Sequence, residues 1–176
     1  RFDTEKLNWL NQQYIKSTPA AHLAAALVPR LASSGVTVTG GAATLEPLVE
    51  AFRERAKTLR EMAERMHVYV ADALVYEPKA AQKFLQPPAV PLLRATRDGL
   101  AALASWTEPA TQAVVEGVAV SSGVGLGKVA QPLRVAVTGD TASPGIGLTL
   151  ELLGRERVLA RIDRALEFID SANPGG

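Results

Sequence analysis

Apolar residues in this chain recur at helical spacing almost from end to end, and the longest strict alternation is the four-residue stretch Val36–Thr39. That pattern predicts an all-α fold. Leu7, Leu10, Tyr14 and Ile15 are read as one apolar face of a first helix, with Trp9 packed beside Leu10 and Tyr14 in the core. Pro19 opens a second helix through Leu23, Ala26, Leu27 and Leu31, which stops at Ser33-Ser34-Gly35. After the Gly40-Gly41 hinge, Thr44 is the expected N-cap of a helix through Leu45, Leu48, Val49 and Phe52, with Glu46-Pro47 in its first turn. Charge thickens over residues 53–65, and helical periodicity then resumes to about Leu74.

Tyr76-Glu77-Pro78 breaks the pattern, starts a short helix through Phe84 and Leu85, and suggests a module boundary near residue 77. Val90, Leu93, Leu100 and Leu103 predict one amphipathic helix, and Thr107-Glu108-Pro109 opens another. Residues 128–138 are β-branched enough for a strand, yet also fit a helix ended by Gly139, and the helix is preferred. The stripe Val158, Leu159, Ile162, Ala165, Leu166 and Ile169 marks the last helix, and Asn173-Pro174-Gly175-Gly176 should fray.

Composition removes several chemistries. With no cysteine and only His22 and His67, the chain has no disulfide framework, zinc finger or thiolate nucleophile, and metal-centred chemistry is not expected. Net charge is +1, so a polyanion would have to be met by a local patch rather than by the field of the whole molecule. No run reaches the ~20 apolar residues of a membrane span, and Arg1-Phe2-Asp3 is not a secretory leader, so a cytoplasmic protein is expected. A monomer is expected as well. The missing initiator Met suggests a start inside a longer protein.

Gly123-Val124-Gly125-Leu126-Gly127-Lys128 has the look of a phosphate loop but fails on spacing, because Ser122 and Val129 stand where a Walker motif needs Gly and Ser or Thr. It reads as a helix connector. Glu50/Glu54 and Glu61/Glu64 share helix faces at the spacing of an acid–base pair, but the surrounding arginines favour intrahelical ion pairs such as Glu61 with Arg65, and no catalytic residue is assigned. The basic residues between Arg53 and Arg65 are either a solvated helix face or guanidiniums that stack on bases and fork onto phosphates. The turn at residues 138–145 is either part of a site or a simple link.

Three segments resemble the C-terminal, anticodon-binding region of bacterial glutamyl-tRNA synthetase. They are Phe2-Asp3 with Lys6–Asn11 and Tyr14-Ile15; Arg55–Met62; and Gly127–Gly139, continued by Ser143-Pro144-Gly145 and Leu152–Arg157. The resemblance covers nearly the whole chain, while the family's His-Ile-Gly-His-like and Lys-Leu-Ser-Lys-Arg-like nucleotide-binding motifs are missing. It implies two packed helical bundles: a connecting helix over 1–18 leading from a catalytic domain, a first anticodon-binding subdomain over 19–77 and a second over 78–176. The parent enzyme would attach glutamate to tRNA(Glu) with ATP and Mg²⁺, and this chain, which would bind the anticodon loop and stem, would hold no cofactor and charge nothing alone. The family's anticodon-reading arginine falls on Arg55; its other anticodon-loop contacts fall on Gln131, Arg134, Thr141, Ser143, Pro144 and Ile146. Gly147 departs from relatives that carry an aromatic residue there, which puts a stacking contact in question. The rival reading is a helical protein-interaction scaffold without an RNA role.

Overall fold

The computed structural model describes residues 3–174, so Phe2 of the first motif and Gly175-Gly176 of the expected frayed end lie outside the described residues. Among the described residues there are ten α-helices, two short 3-10 turns and no β-strand. The backbone divides into two compact units, one up to Asp72 and one from Ala73 onward.

In the first unit, α1 (Thr4–Ser17) starts at Asp3, whose carboxylate accepts from the N–H groups of Glu5 and Lys6. α2 (Ala20–Ser33) follows Pro19 as predicted and buries Leu23, Leu27 and Leu31. α3 (Glu46–Phe52) and α4 (Leu59–Val70) close a core around Leu45, Val49, Phe52, Met62 and Met66, with the Phe52 and Tyr69 rings edge to face at 5.4 Å.

Three expectations for this unit fail. Trp9, Leu10 and Tyr14 are 57%, 48% and 50% exposed, while Ile15 alone of α1 is buried. Trp9 points about 100° around the helix from Leu10 and about 140° from Tyr14, so these residues never formed one face. Thr44 does not cap α3. It sits inside a 3-10 turn (Ala42–Leu45), where its hydroxyl donates to the Gly41 carbonyl. Finally, the charged stretch is not one helix. Arg53, Glu54 and Arg55 form a turn, and α4 restarts only at Leu59 because Thr58 accepts from Glu61 N–H at 3.0 Å while Glu61 Oε2 takes the N–H of Lys57. Glu54 therefore shares no helix face with Glu50 and lies instead 3.5 Å from Lys16 Nζ.

The second unit contains α5 (Pro78–Phe84), α6 (Val90–Ala101), α7 (Glu108–Ser122), α8 (Leu126–Thr138), α9 (Ile146–Leu153) and α10 (Arg155–Ala172). Segment 128–138 is helical, ended by Gly139 at φ +83° as the left-handed cap. α8 is the central element, burying Val129, Leu133, Val135, Ala136 and Val137, and α10 packs its Val158, Ile162, Ala165 and Ile169 stripe into the same unit. One charged side chain is buried with them: Arg161 donates to the Val137 carbonyl at 2.8 Å. Of the stretch read as a connector, only Gly123–Gly125 joins α7 to α8; Leu126, Gly127 and Lys128 already form the first turn of α8.

Candidate nucleic-acid interface

In the second unit the structure brings four of the proposed residues into one hydrogen-bonded cluster. Gln131 and Arg134 lie one turn apart on α8, and the turn after Gly139 folds back over them. Arg134 Nε donates to Ser143 Oγ at 2.6 Å, Nη1 to Gln131 Oε1 at 3.2 Å and Nη2 to the Pro144 carbonyl at 3.4 Å. The guanidinium thus ties helix to turn while remaining half-buried rather than sealed in the core. Thr149, buried in α9, places its hydroxyl 3.2 Å from Ser143 Oγ and 3.1 Å from the Pro144 carbonyl, so one proton serves both acceptors.

Both ends of this turn are anchored. At its start, the Glu77 N–H donates to the Gly139 carbonyl at 2.7 Å, and a Cβ on residue 139 would stand 2.3 Å from the Val75 carbonyl oxygen. Positive φ and close backbone approach both require glycine there. At its end, the Gly147 N–H donates to Gln112 Oε1 and the Gly147 carbonyl accepts from Thr111 Oγ1, each at 3.0 Å. A Cβ on residue 147 would meet the Glu108 carbonyl oxygen at 2.8 Å and Gln112 Cβ at 2.9 Å. An aromatic side chain has no room at that position, so the close packing of α9 on α7 replaces any stacking contact from residue 147.

Thr141 is exposed at the tip, its N–H held by Asp140 Oδ1 at 2.6 Å. Pro144 and Ile146 are buried, so the Ile146 side chain is not presented at the surface. Arg55 belongs to the first unit: it is exposed in the turn between α3 and α4, its N–H bonded to the Phe52 carbonyl at 2.9 Å and the following Ala56 buried as an anchor. Nearby, Arg53 is turned inward, donating to the Ile15 carbonyl at 3.1 Å and to the Thr18 carbonyl. Of the neighbouring arginines, one braces the fold and the other faces solvent.

Positioning residues escaped the sequence reading. Thr149 is a lone hydroxyl in the apolar run Ile146–Leu153, and such a residue on a buried face usually has a partner to satisfy, which was the available signal. Gln112 carried no comparable signal. Trp106 also holds α9, donating Nε1–H to the Leu150 carbonyl at 2.8 Å, with the Arg155 guanidinium 5.4 Å from its ring centre.

No group of three or more His, Asp or Glu among the described residues is placed to hold a metal ion, and Gly123, at φ +69°, closes α7 instead of cradling a phosphate. No described helix is long and apolar enough to cross a membrane.

Comparison with known proteins gives a consistent picture. The chain is 45% identical over 166 residues to a glutamate–tRNA ligase of Myxococcus xanthus (strain DK1622), covering 94% of this chain and 34% of that protein. It superposes on a crystal structure of a glutamate tRNA ligase from Elizabethkingia meningosepticum in complex with its amino acid. That match has a TM-score of 0.84 and 24% identity, over 96% of this chain and 33% of the other. The glutamate-tRNA synthetase of Elizabethkingia anophelis matches with a TM-score of 0.80 and 24% identity, over 95% and 32% of the two chains. The chain thus spans about a third of the length of these relatives. A family model described as an anticodon binding domain matches residues 20–166, and this chain belongs to that family.

Proposed function

We propose that this chain recognises the anticodon loop and stem of tRNA(Glu) as part of a longer glutamate–tRNA ligase. In this reading residues 1–18 connect to the remainder of the enzyme, residues 19–77 are the first anticodon-binding subdomain and residues 78–176 the second. ATP and Mg²⁺ are bound by the remainder, where glutamate is activated and esterified, and the enzyme works as a cytoplasmic monomer.

The cluster of Gln131, Arg134, Ser143 and Pro144 carries the reading. A single-stranded loop exposes base edges and phosphates, and recognising them needs donors and acceptors held in advance at a surface. The turn rising over α8 supplies such groups: the exposed Thr141, the half-buried Ser143, the amide of Gln131 and the guanidinium of Arg134. Arg55, exposed on a short rigid turn, adds a planar cation able to stack on one base while donating to its edge.

Fluorescence-anisotropy titration with tRNA(Glu) and an unrelated tRNA at two salt concentrations tests the reading. Tighter binding of tRNA(Glu), with a preference that persists at the higher salt, is expected. Equal and negligible binding of both would favour a protein-interaction scaffold instead.

A further inference from the structure

A second feature of the first unit is a groove of about 500 Å³ between the last turn of α2 and the outer face of α4. Arg30 and Ser33 of α2 and Ser34 just after it line one side, and Arg60, Glu64 and His67 of α4 the other, over a floor of buried Ala63. We infer that this groove binds phosphates of an RNA backbone. The inference rests on the tRNA-binding reading and extends it to a site that Arg55 and the α8 cluster do not include.

The charge balance favours an anion. Two guanidiniums face one carboxylate, and that carboxylate is already engaged, with Glu64 Oε1 3.4 Å from Arg60 Nε. Arg30 is exposed and enters no ion pair among the described residues. A helix C-terminus carries partial negative charge, which would repel a phosphate. Here that charge is blunted: Ser33 Oγ donates to the Pro29 carbonyl at 3.0 Å, Ser34 Oγ to the Leu31 carbonyl at 2.8 Å, and the Val36 N–H also bonds Leu31. What remains for a ligand is one excess positive charge: the Arg30 guanidinium, with Arg60 shared with Glu64 across the groove and the half-buried imidazole of His67 beside them.

The groove's form suits a chain passing through rather than a small molecule enclosed. Apart from its Ala63 floor and His67, the lining residues are solvent-exposed. It also adjoins the proposed reading site in sequence, since Arg55, Lys57 and Arg60 lead from the α3–α4 turn into the first turn of α4. A strand whose base is read at Arg55 would need its flanking phosphates neutralised nearby, and phosphate contacts fix register without selecting sequence.

The test is binding of tRNA(Glu) and of the same tRNA with one anticodon base changed, measured across a salt series for the unaltered protein, Arg30→Gln, Arg30→Lys and Arg94→Gln. Arg94 is an exposed arginine of α6 in the other unit, so its variant removes the same formal charge elsewhere. Arg30→Gln is expected to weaken both RNAs by the same factor, roughly tenfold at low salt, and to lower the slope of log affinity against log salt by about 0.7–0.9. Arg30→Lys should retain the slope, and Arg94→Gln should leave both quantities near those of the unaltered protein. If Arg30→Gln behaves like Arg94→Gln, or alters the preference between the two RNAs, the groove is not a backbone site. If the unaltered protein binds neither RNA, the tRNA reading itself is overturned and this inference falls with it.

Discussion

Arg134 Nε stands 2.6 Å from Ser143 Oγ, and this bond joins a helix to a turn nine residues further along the chain. Because Ser143 Oγ is also within reach of Thr149, it is a junction rather than a surface hydroxyl. Ser143→Ala should therefore lower stability by about 1–2 kcal/mol, seen as a lower urea midpoint, and weaken tRNA binding as the turn loosens. Ser143→Glu would crowd the same half-buried junction, so it is not a fold-neutral probe of repulsion. A Ser143→Ala midpoint equal to that of the unaltered protein would show that the junction adds nothing.

Arg55 is predicted to discriminate and not merely attract. Arg55→Gln should reduce the preference for the cognate third anticodon base by about 1–3 kcal/mol, by analogy with bidentate base readout. The measurement is binding of tRNAs differing only at that base, at fixed salt. Equal ratios for the two proteins would reduce Arg55 to a surface charge.

Gly147→Ala should cost about 1–3 kcal/mol by overpacking, because the new methyl meets the Glu108 carbonyl oxygen and Gln112 Cβ inside 3 Å contact. Thermal melting checks it. An unchanged melting temperature would mean that α9 can shift away from α7 without penalty.

Trp9→Ala is expected to change stability by no more than about 0.5 kcal/mol, as for a surface substitution. The exposed indole should also be quenched by iodide more readily than Trp106, whose N–H is bonded to the Leu150 carbonyl. Equal quenching of the two would contradict the exposed position of Trp9.

The Lys57 N–H, followed by the Arg65 guanidinium, holds the Glu61 carboxyl below its ordinary value of 4.5, against the opposing effect of partial burial. A depressed folded-state value adds stability that is complete above the unfolded value and is lost as pH falls through the folded one. Glu61→Gln should therefore flatten the acid side of the stability profile below about pH 4.5 and leave its shape at neutral pH unaltered. Parallel acid limbs in urea titrations of the two proteins would refute this.

Helix existence was legible from apolar spacing and from punctuation: Pro19, Thr107 and Gly139 mark element ends where the structure has them. What failed were inferences about neighbours. Charges spaced three and four apart between Arg53 and Arg65 imitate a continuous helix, and only the Thr58-Leu59-Arg60-Glu61 capping pattern signals the restart. Burial of Arg161 was illegible because a guanidinium on an apolar stripe is accommodated by a carbonyl, that of Val137, from a distant helix. For the candidate site, Gln131, Arg134, Ser143 and Pro144 were named from the resemblance and not from spacing, and the supports Thr149, Gln112 and Thr111 depend on long-range packing that spacing does not encode.

The turn over α8 is fastened at Gly139 by Glu77, at Ser143 by Arg134 and at Gly147 by Gln112. Between the first two fastenings lie Asp140, Thr141 and Ala142, all exposed. Length variation has one outlet in such an arrangement. An inserted residue can bulge outward at 140–142 while every fastening persists, but between 143 and 147 it would have to break one of them. Natural or engineered variants that differ in loop length should therefore place their extra residues at the tip, enlarging the exposed edge while the bonded base stays as it is.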